Sequence, residues 1–121
     1  MRFAYDDDNI FARILRGEIP CKTVLETEHS LAFEDISAQA PVHVLVIPKG
    51  PYVSYDHFAR DASDAEILDF NRAVAKLCEQ CDLEGGFRAI TNARAHGHQE
   101  VPHFHMHLLG GRPLGRLLER S

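Results

Sequence analysis

The chain has only three cysteines, Cys21, Cys78 and Cys81, an odd and sparse set that builds no disulfide framework, so reduced thiols are expected. No apolar run approaches the roughly 20 residues that span a bilayer. The opening residues Met1-Arg2-Phe3-Ala4-Tyr5-Asp6-Asp7-Asp8 are too acidic for a secretory leader. These absences predict a cytoplasmic protein with no membrane partner. Positive charge is not in excess either: 13 Lys and Arg against 18 Asp and Glu leave a net charge of −5. A broad basic surface is thereby excluded, and with it duplex nucleic acid as a partner. A small anionic ligand gripped by a local cluster of donors is compatible with that charge. There is no internal repeat and no low-complexity segment. With 121 residues, 45% of them hydrophobic, the chain holds one domain with a real core and no second one. Residues 1–121 are expected to be that domain, with a core of about 9–113 and a tail over 114–121.

Histidine, by contrast, is concentrated in one place. His103-Phe104-His105-Met106-His107-Leu108-Leu109 sets three imidazoles at two-residue spacing with apolar residues between them. In an extended strand successive side chains point to opposite faces, so the histidines line one surface and Phe104, Met106 and Leu108 the other. A single histidine is ordinarily a surface or satisfied core residue; three in register are not obtained that way. Imidazoles so arranged can act near neutral pH as nucleophile, proton carrier or metal ligand. Two histidines at i and i+2 can both reach one zinc, but no obvious carboxylate ligand and no second thiol pair accompanies this strand. Cys78-Glu79-Gln80-Cys81 formally matches C-x-x-C yet falls inside an amphipathic helix pattern, where buried thiols are the simpler reading.

Along the chain, Asp8 or Asn9 can cap a short helix to about residue 16, ended by Gly17 and Pro20. Residues 22–26 and 30–34 read as a hairpin across Thr27-Glu28-His29. Val42-His43-Val44-Leu45-Val46-Ile47-Pro48 is the strongest strand signal, apolar on both faces and thus central. His43 shares a face with Leu45 and Ile47, where burial demands a hydrogen-bond partner. Ser63-Asp64-Ala65-Glu66 is a capping box opening a long helix through Cys81. Residues 87–91 form another strand, residues 92–102 a polar loop, and the histidine strand closes the fold. Without regular β-α-β alternation, the class is α+β, with a mostly antiparallel sheet and two helices. An edge strand of such a sheet can become a dimer surface.

His103-x-His105-x-His107-Leu108-Leu109 resembles the histidine-triad signature of the HIT family. Asn9-Ile10-Phe11-Ala12-Arg13-Ile14 with Gly17-Glu18-Ile19-Pro20, Ala32-Phe33-Glu34-Asp35-Ile36-Ser37, and Pro41-Val42-His43-Val44-Leu45-Val46-Ile47-Pro48-Lys49 resemble its Hint branch in the same order. Gln99-Glu100-Val101-Pro102 and Gly110-Gly111-Arg112-Pro113 are similar to bacterial Hint-like members. The resemblance covers residues 9–113. It implies a HIT-like fold with a five-stranded sheet extended across a homodimer. It also implies a purine nucleotide hydrolase or nucleotidyl transferase acting at the α-phosphorus, most simply an adenosine 5′-phosphoramidate hydrolase.

By the same resemblance His105 is the nucleophile, His107 contacts the phosphate and protonates the leaving group, and His103 and His43 orient and buffer that pair. Asp35 takes the ribose hydroxyls. Ile10, Phe11, Ile14, Phe33, Glu34, Ile36 and Leu45 surround the base, and Asn92, Gln99, Glu100 and Val101 meet the phosphate. No cofactor and no metal is expected. Many bacterial relatives bind structural zinc through Cys-x-x-Cys at the start of the first helix, where this chain has Asn9 and Ala12. Glu100 stands where some relatives place a serine, so a carboxylate faces an anionic substrate unless it turns away or meets a cationic leaving group. The tail lacks the tryptophan of eukaryotic relatives. His96 and His98 around Gly97 read as a solvated loop in preference to a metal site. Two other functions stay open on the sequence: a dinucleoside polyphosphate hydrolase, and a non-catalytic nucleotide-binding module, for which an intact row of histidines would be unnecessary.

Overall fold

The computed structural model describes residues 3–119. Its elements in chain order are α1 (Ile10–Leu15), β1 (Thr23–Glu26), β2 (Ser30–Glu34), β3 (Val42–Pro48), α2 (Tyr55–Asp61), α3 (Asp64–Gln80), β4 (Phe87–Ile90) and β5 (Met106–Gly110). The five strands make one antiparallel sheet in the order β1-β2-β3-β5-β4. β3 is central, as its uninterrupted apolar run requires. Alternation along β3 sends Val44 and Val46 to one face and Leu45 and Ile47 to the other.

The first face carries α3. Ser63 accepts from the Glu66 amide while the Glu66 carboxylate accepts from the Ser63 amide, closing the capping box. From that start Phe70, Ala73 and Leu77 come down on the sheet. Phe70 and Leu77 join Val44, Val46, Phe58, Phe104 and Leu108 in the main core. The second face carries α1, capped by Asn9, whose side chain accepts from the Ala12 amide at 2.9 Å. Phe11 packs there with Leu31, Phe33, Leu45 and Ile47.

Two expectations need correction. There are three helices where two were expected, because residues 55–61 form α2. Its one deeply buried side chain, Phe58, gives no readable periodicity; the helix is held by ring contacts of Phe58 with nearby Tyr52 and with Phe70 and Phe104, which lie beyond the helix. Secondly, β5 begins at Met106 and not at His103. The preceding backbone leaves the ladder: the His103 amide donates to Val101 O at 2.9 Å and the Phe104 amide to Tyr52 O at 2.7 Å. The alternation of side chains nonetheless persists through this extended lead-in. Phe104 and Leu108 enter the α3 core, while His105 stands against Phe11 on the other face, ring centroids 5.0 Å apart.

The tail doubles back on β4, where the Arg88 guanidinium donates to the carbonyls of Gly115 and Arg116 at 2.6 and 3.1 Å. Met1, Arg2, Arg120 and Ser121, included in the reading of the chain's ends, lie outside the described residues.

Candidate active site

The four histidines meet where β3 and the start of β5 run side by side, and their protons can be assigned from their partners. His103 is wholly buried, its Nε2 lying 2.9 Å from Pro48 O. A carbonyl only accepts, so Nε2 carries the proton and Nδ1 is a bare acceptor. Tyr5 fills it, its hydroxyl donating at 2.6 Å. The carbonyl of His103 in turn accepts from Nδ1–H of His105 at 2.7 Å, which leaves Nε2 of His105 with a free lone pair. Thr91 Oγ1 holds the carbonyl of His105 at 2.8 Å.

His43 and His107 carry the tautomer opposite to that of His105. The backbone N–H of Gln39 donates to Nδ1 of His43 at 3.0 Å, so the His43 proton resides on Nε2. That nitrogen is 2.9 Å from Nδ1 of His107 and 3.3 Å from Asp35 Oδ2. Donation to His107 Nδ1 puts the proton of a neutral His107 on its Nε2. The rings of His105 and His107 are 5.2 Å apart. One therefore offers an electron pair and its neighbour an N–H.

Burial keeps all four rings neutral at pH 7. It pushes His103 down to about 4, and His107 also to about 4 with help from the neighbouring His105 and His43. His105 and His43 are lowered for the same reason, with Asp35 pulling both partly back. Neutral imidazole is the nucleophilic form.

Around this centre the structure gathers most of the expected binding residues. Phe11, Phe33 and Leu45 are buried together, with Ile14 and Val101 packed against them. Ile10 is half exposed and Ile36 fully exposed at the rim. Asp35 sits at the end of β2, its Oδ1 accepting from the Ser37 amide at 2.8 Å. Glu34 is set apart: its carboxylate pairs with Lys22 at 3.2 Å and its charge is felt by Cys81 at the end of α3. Strand alternation explains this, since a neighbour of Phe33 and Asp35 points to the other face.

In the loop after β4, Asn92 is half-buried and Glu100 is exposed, 3.3 Å from His98. The Gln99 amide is spent on the loop itself, donating to Val53 O and Val101 O and accepting from the Arg94 amide. It is thus a brace where a phosphate contact was expected. Arg94 and His98 adopt left-handed backbone, φ +59° and +57°. Arg94 is anchored by paired hydrogen bonds to Asp56 at 3.2 and 2.9 Å, a contact that holds the Asp56 carboxyl down at about 2. Gly97 has no space for a side chain, because a Cβ there would stand 2.7 Å from Ala93 O.

The HIT domain matches this chain over residues 16–114. The chain belongs to the HIT family. A HIT-like protein of Azospirillum brasilense is 52% identical over 122 residues, covering 100% of both chains. The purine nucleoside phosphoramidase of Escherichia coli K12 is 42% identical over 113 residues, 93% of this chain and 94% of that one. Among solved structures, a HIT family hydrolase from Legionella pneumophila aligns with a TM-score of 0.77 at 38% identity, covering 88% of this chain and 95% of the other. This chain is an enzyme of that HIT kind, with the family's five-stranded antiparallel sheet.

The structural zinc of bacterial HIT relatives does not fit here. Asn9 Oδ1 is committed to capping α1, and Ala12 has no donor to offer. Among the described residues, Asp35, His43 and His107 are the set whose ligand atoms could converge on a metal, within 4.8 Å of one another. No described helix is long and apolar enough to cross a membrane. A cavity of about 490 Å³ between Leu83, Phe87, Arg88 and Arg112 is formed by other residues than the four histidines.

Sequence reasoning missed Tyr5, the Gln39 amide, the Pro48 carbonyl and the Arg94–Asp56 clamp. Backbone groups have no residue-type signature, and Tyr5 is 98 positions from its partner. Only the left-handed positions left a trace, in the Gly97-centred polar loop.

Proposed function

We propose that this HIT enzyme hydrolyses purine nucleoside 5′-phosphoramidates through a covalent nucleotidyl-His105 intermediate. The observation that carries the reading is the polarity of the central pair, a free electron pair on His105 Nε2 beside an N–H on His107 Nε2. Likeness to the Escherichia coli phosphoramidase supports it. Asp35 is assigned to the ribose hydroxyls, Phe11, Ile14, Phe33 and Leu45 to the walls around a purine, and Asn92 to the phosphate. The working unit is proposed to be a cytoplasmic homodimer with the sheet continued across the edge strand β4.

In the first step His105 Nε2 attacks the α-phosphorus and the P–N bond breaks. The negative nucleotide, in a site where burial has lowered every imidazole, raises the proton affinity of the His43–His107 pair, and the proton so recruited leaves with the amine from His107 Nε2. His105 in the adduct keeps Nδ1–H on the His103 carbonyl, so its ring is cationic and a good leaving group. Water then attacks phosphorus and passes a proton to the now neutral His107. The P–Nε2 bond breaks, and AMP and the amine are the products.

The test is AMP release from adenosine 5′-phosphoramidate by wild-type protein and His105→Ala, each with and without EDTA. Turnover that survives EDTA and vanishes in the variant is expected. Tight AMP binding without turnover would replace this reading with a nucleotide-binding module, and turnover lost to EDTA would replace it with metal catalysis.

A further inference from the structure

With His105 as the nucleophile of the proposed function, we infer that Tyr5 is a positioning residue for it, acting through the ring and carbonyl of His103. The geometry is a single connected path. The Tyr5 hydroxyl reaches His103 Nδ1 at 2.6 Å, His103 Nε2–H reaches Pro48 O at 2.9 Å, and the His103 carbonyl holds His105 Nδ1–H at 2.7 Å. Pro48 fixes one edge of the His103 ring and Tyr5 the other, so the ring has one orientation and one tautomer. Both ring nitrogens are thereby occupied. His103 cannot exchange protons with a substrate; it is a strut, and its carbonyl sets where the lone pair of His105 points.

Tyr5 is held for that task at both ends of the short segment preceding α1. Phe3 stacks on His57 of α2 with ring centroids 4.4 Å apart and 9° between planes, and the Arg60 guanidinium covers it at 4.7 Å. On the other side, the Asp6 carbonyl accepts from the backbone and side-chain N–H groups of Asn9, and Arg16 donates to Asp7 O. The phenol ring also packs edge-on against His103, 5.5 Å between centroids, and Phe11 makes a second edge contact with His103 at 6.3 Å. A segment at the far end of the chain thus closes the back of the triad. Without the hydroxyl, Nδ1 of a wholly buried ring loses its donor, and the ring is free to turn or change tautomer.

The experiment compares Tyr5→Phe with wild type in the full chain. It measures kcat for adenosine 5′-phosphoramidate, the dissociation constant for AMP, and the ¹⁵N resonances of His103. Tyr5→Phe is expected to lower kcat about tenfold, since small displacements of a reacting atom are costly. AMP affinity should stay within about twofold because no ligand contact is lost, and His103 Nδ1 should shift toward the value of an unbonded nitrogen. In a His103→Gln background the same change should have no further effect on kcat, as expected when one residue acts through the other. Unchanged kcat and His103 resonances would overturn the assignment, as would an equal fall in kcat and AMP affinity, which marks general loosening. Failure of the histidine mechanism would show separately, as turnover persisting in His105→Ala.

Discussion

The ring of His43 bridges the backbone of Gln39 and the ring of His107: it accepts the Gln39 amide at 3.0 Å and donates to His107 Nδ1 across 2.9 Å. A backbone amide cannot change its role, so this contact fixes the tautomers of two histidines in succession. The N–H that His107 presents is set by a main-chain group in the loop before β3.

Replacing His43 with alanine should therefore act on catalysis through His107. Steady-state assays of His43→Ala should show kcat reduced by about tenfold to a hundredfold, the range of a compromised general acid, with a smaller change in KM. Glutamine at 43, whose side-chain N–H stands in for the imidazole Nε2–H, should restore donation to His107 and recover part of the loss.

Nucleotide binding should take up protons at neutral pH. His107 is held down to about 4 and His43 is also lowered in the free protein, both by burial, and a bound phosphate anion favours the charged imidazole. Titration calorimetry of AMP binding at pH 7 in buffers of different ionisation enthalpy should give a net uptake, reduced in His107→Gln.

Stability should fall on acidification through the histidines. His103 and His107 bind protons at about 4 in the fold, against about 6.5 in the unfolded chain. Between those values the unfolded state holds more protons, so stability declines as pH drops. The contribution is complete above about pH 6.5 and exhausted near pH 4. Melting temperatures from pH 7 to 4.5 should trace that slope, and His107→Gln should flatten it.

The core should prove sensitive next to the nucleophile. Phe104 is wholly buried among Tyr55, Phe58 and Phe70, with centroids 5.0 to 5.5 Å away. Phe104→Ala should cost about 3–5 kcal/mol of unfolding free energy, read by urea denaturation. Activity should suffer as well, because His105 is its covalent neighbour.

The strand pattern of residues 42–48, the capping box at Ser63, and the alternation of histidines with apolar residues are local, and local periodicity follows from backbone geometry that any reader of the chain can apply. From them came the central strand, the long helix, the α+β class and the surface shared by His103, His105 and His107; the hairpin over residues 22–34 and the strand over 87–91 were read from the chain as well, and the HIT resemblance assembled these strands into a five-stranded sheet. Residues 55–61 gave no such signal, because α2 is stabilised by rings contributed from elsewhere. Where the histidine segment joins the ladder was likewise decided by Tyr52, whose carbonyl draws the Phe104 amide away. Above all, the sequence determined which imidazoles are present but not where each proton sits. That depended on Tyr5, Pro48, Gln39 and His103, groups that only folding brings within hydrogen-bond reach, and a proton's position is fixed by its partner rather than by the residue that carries it.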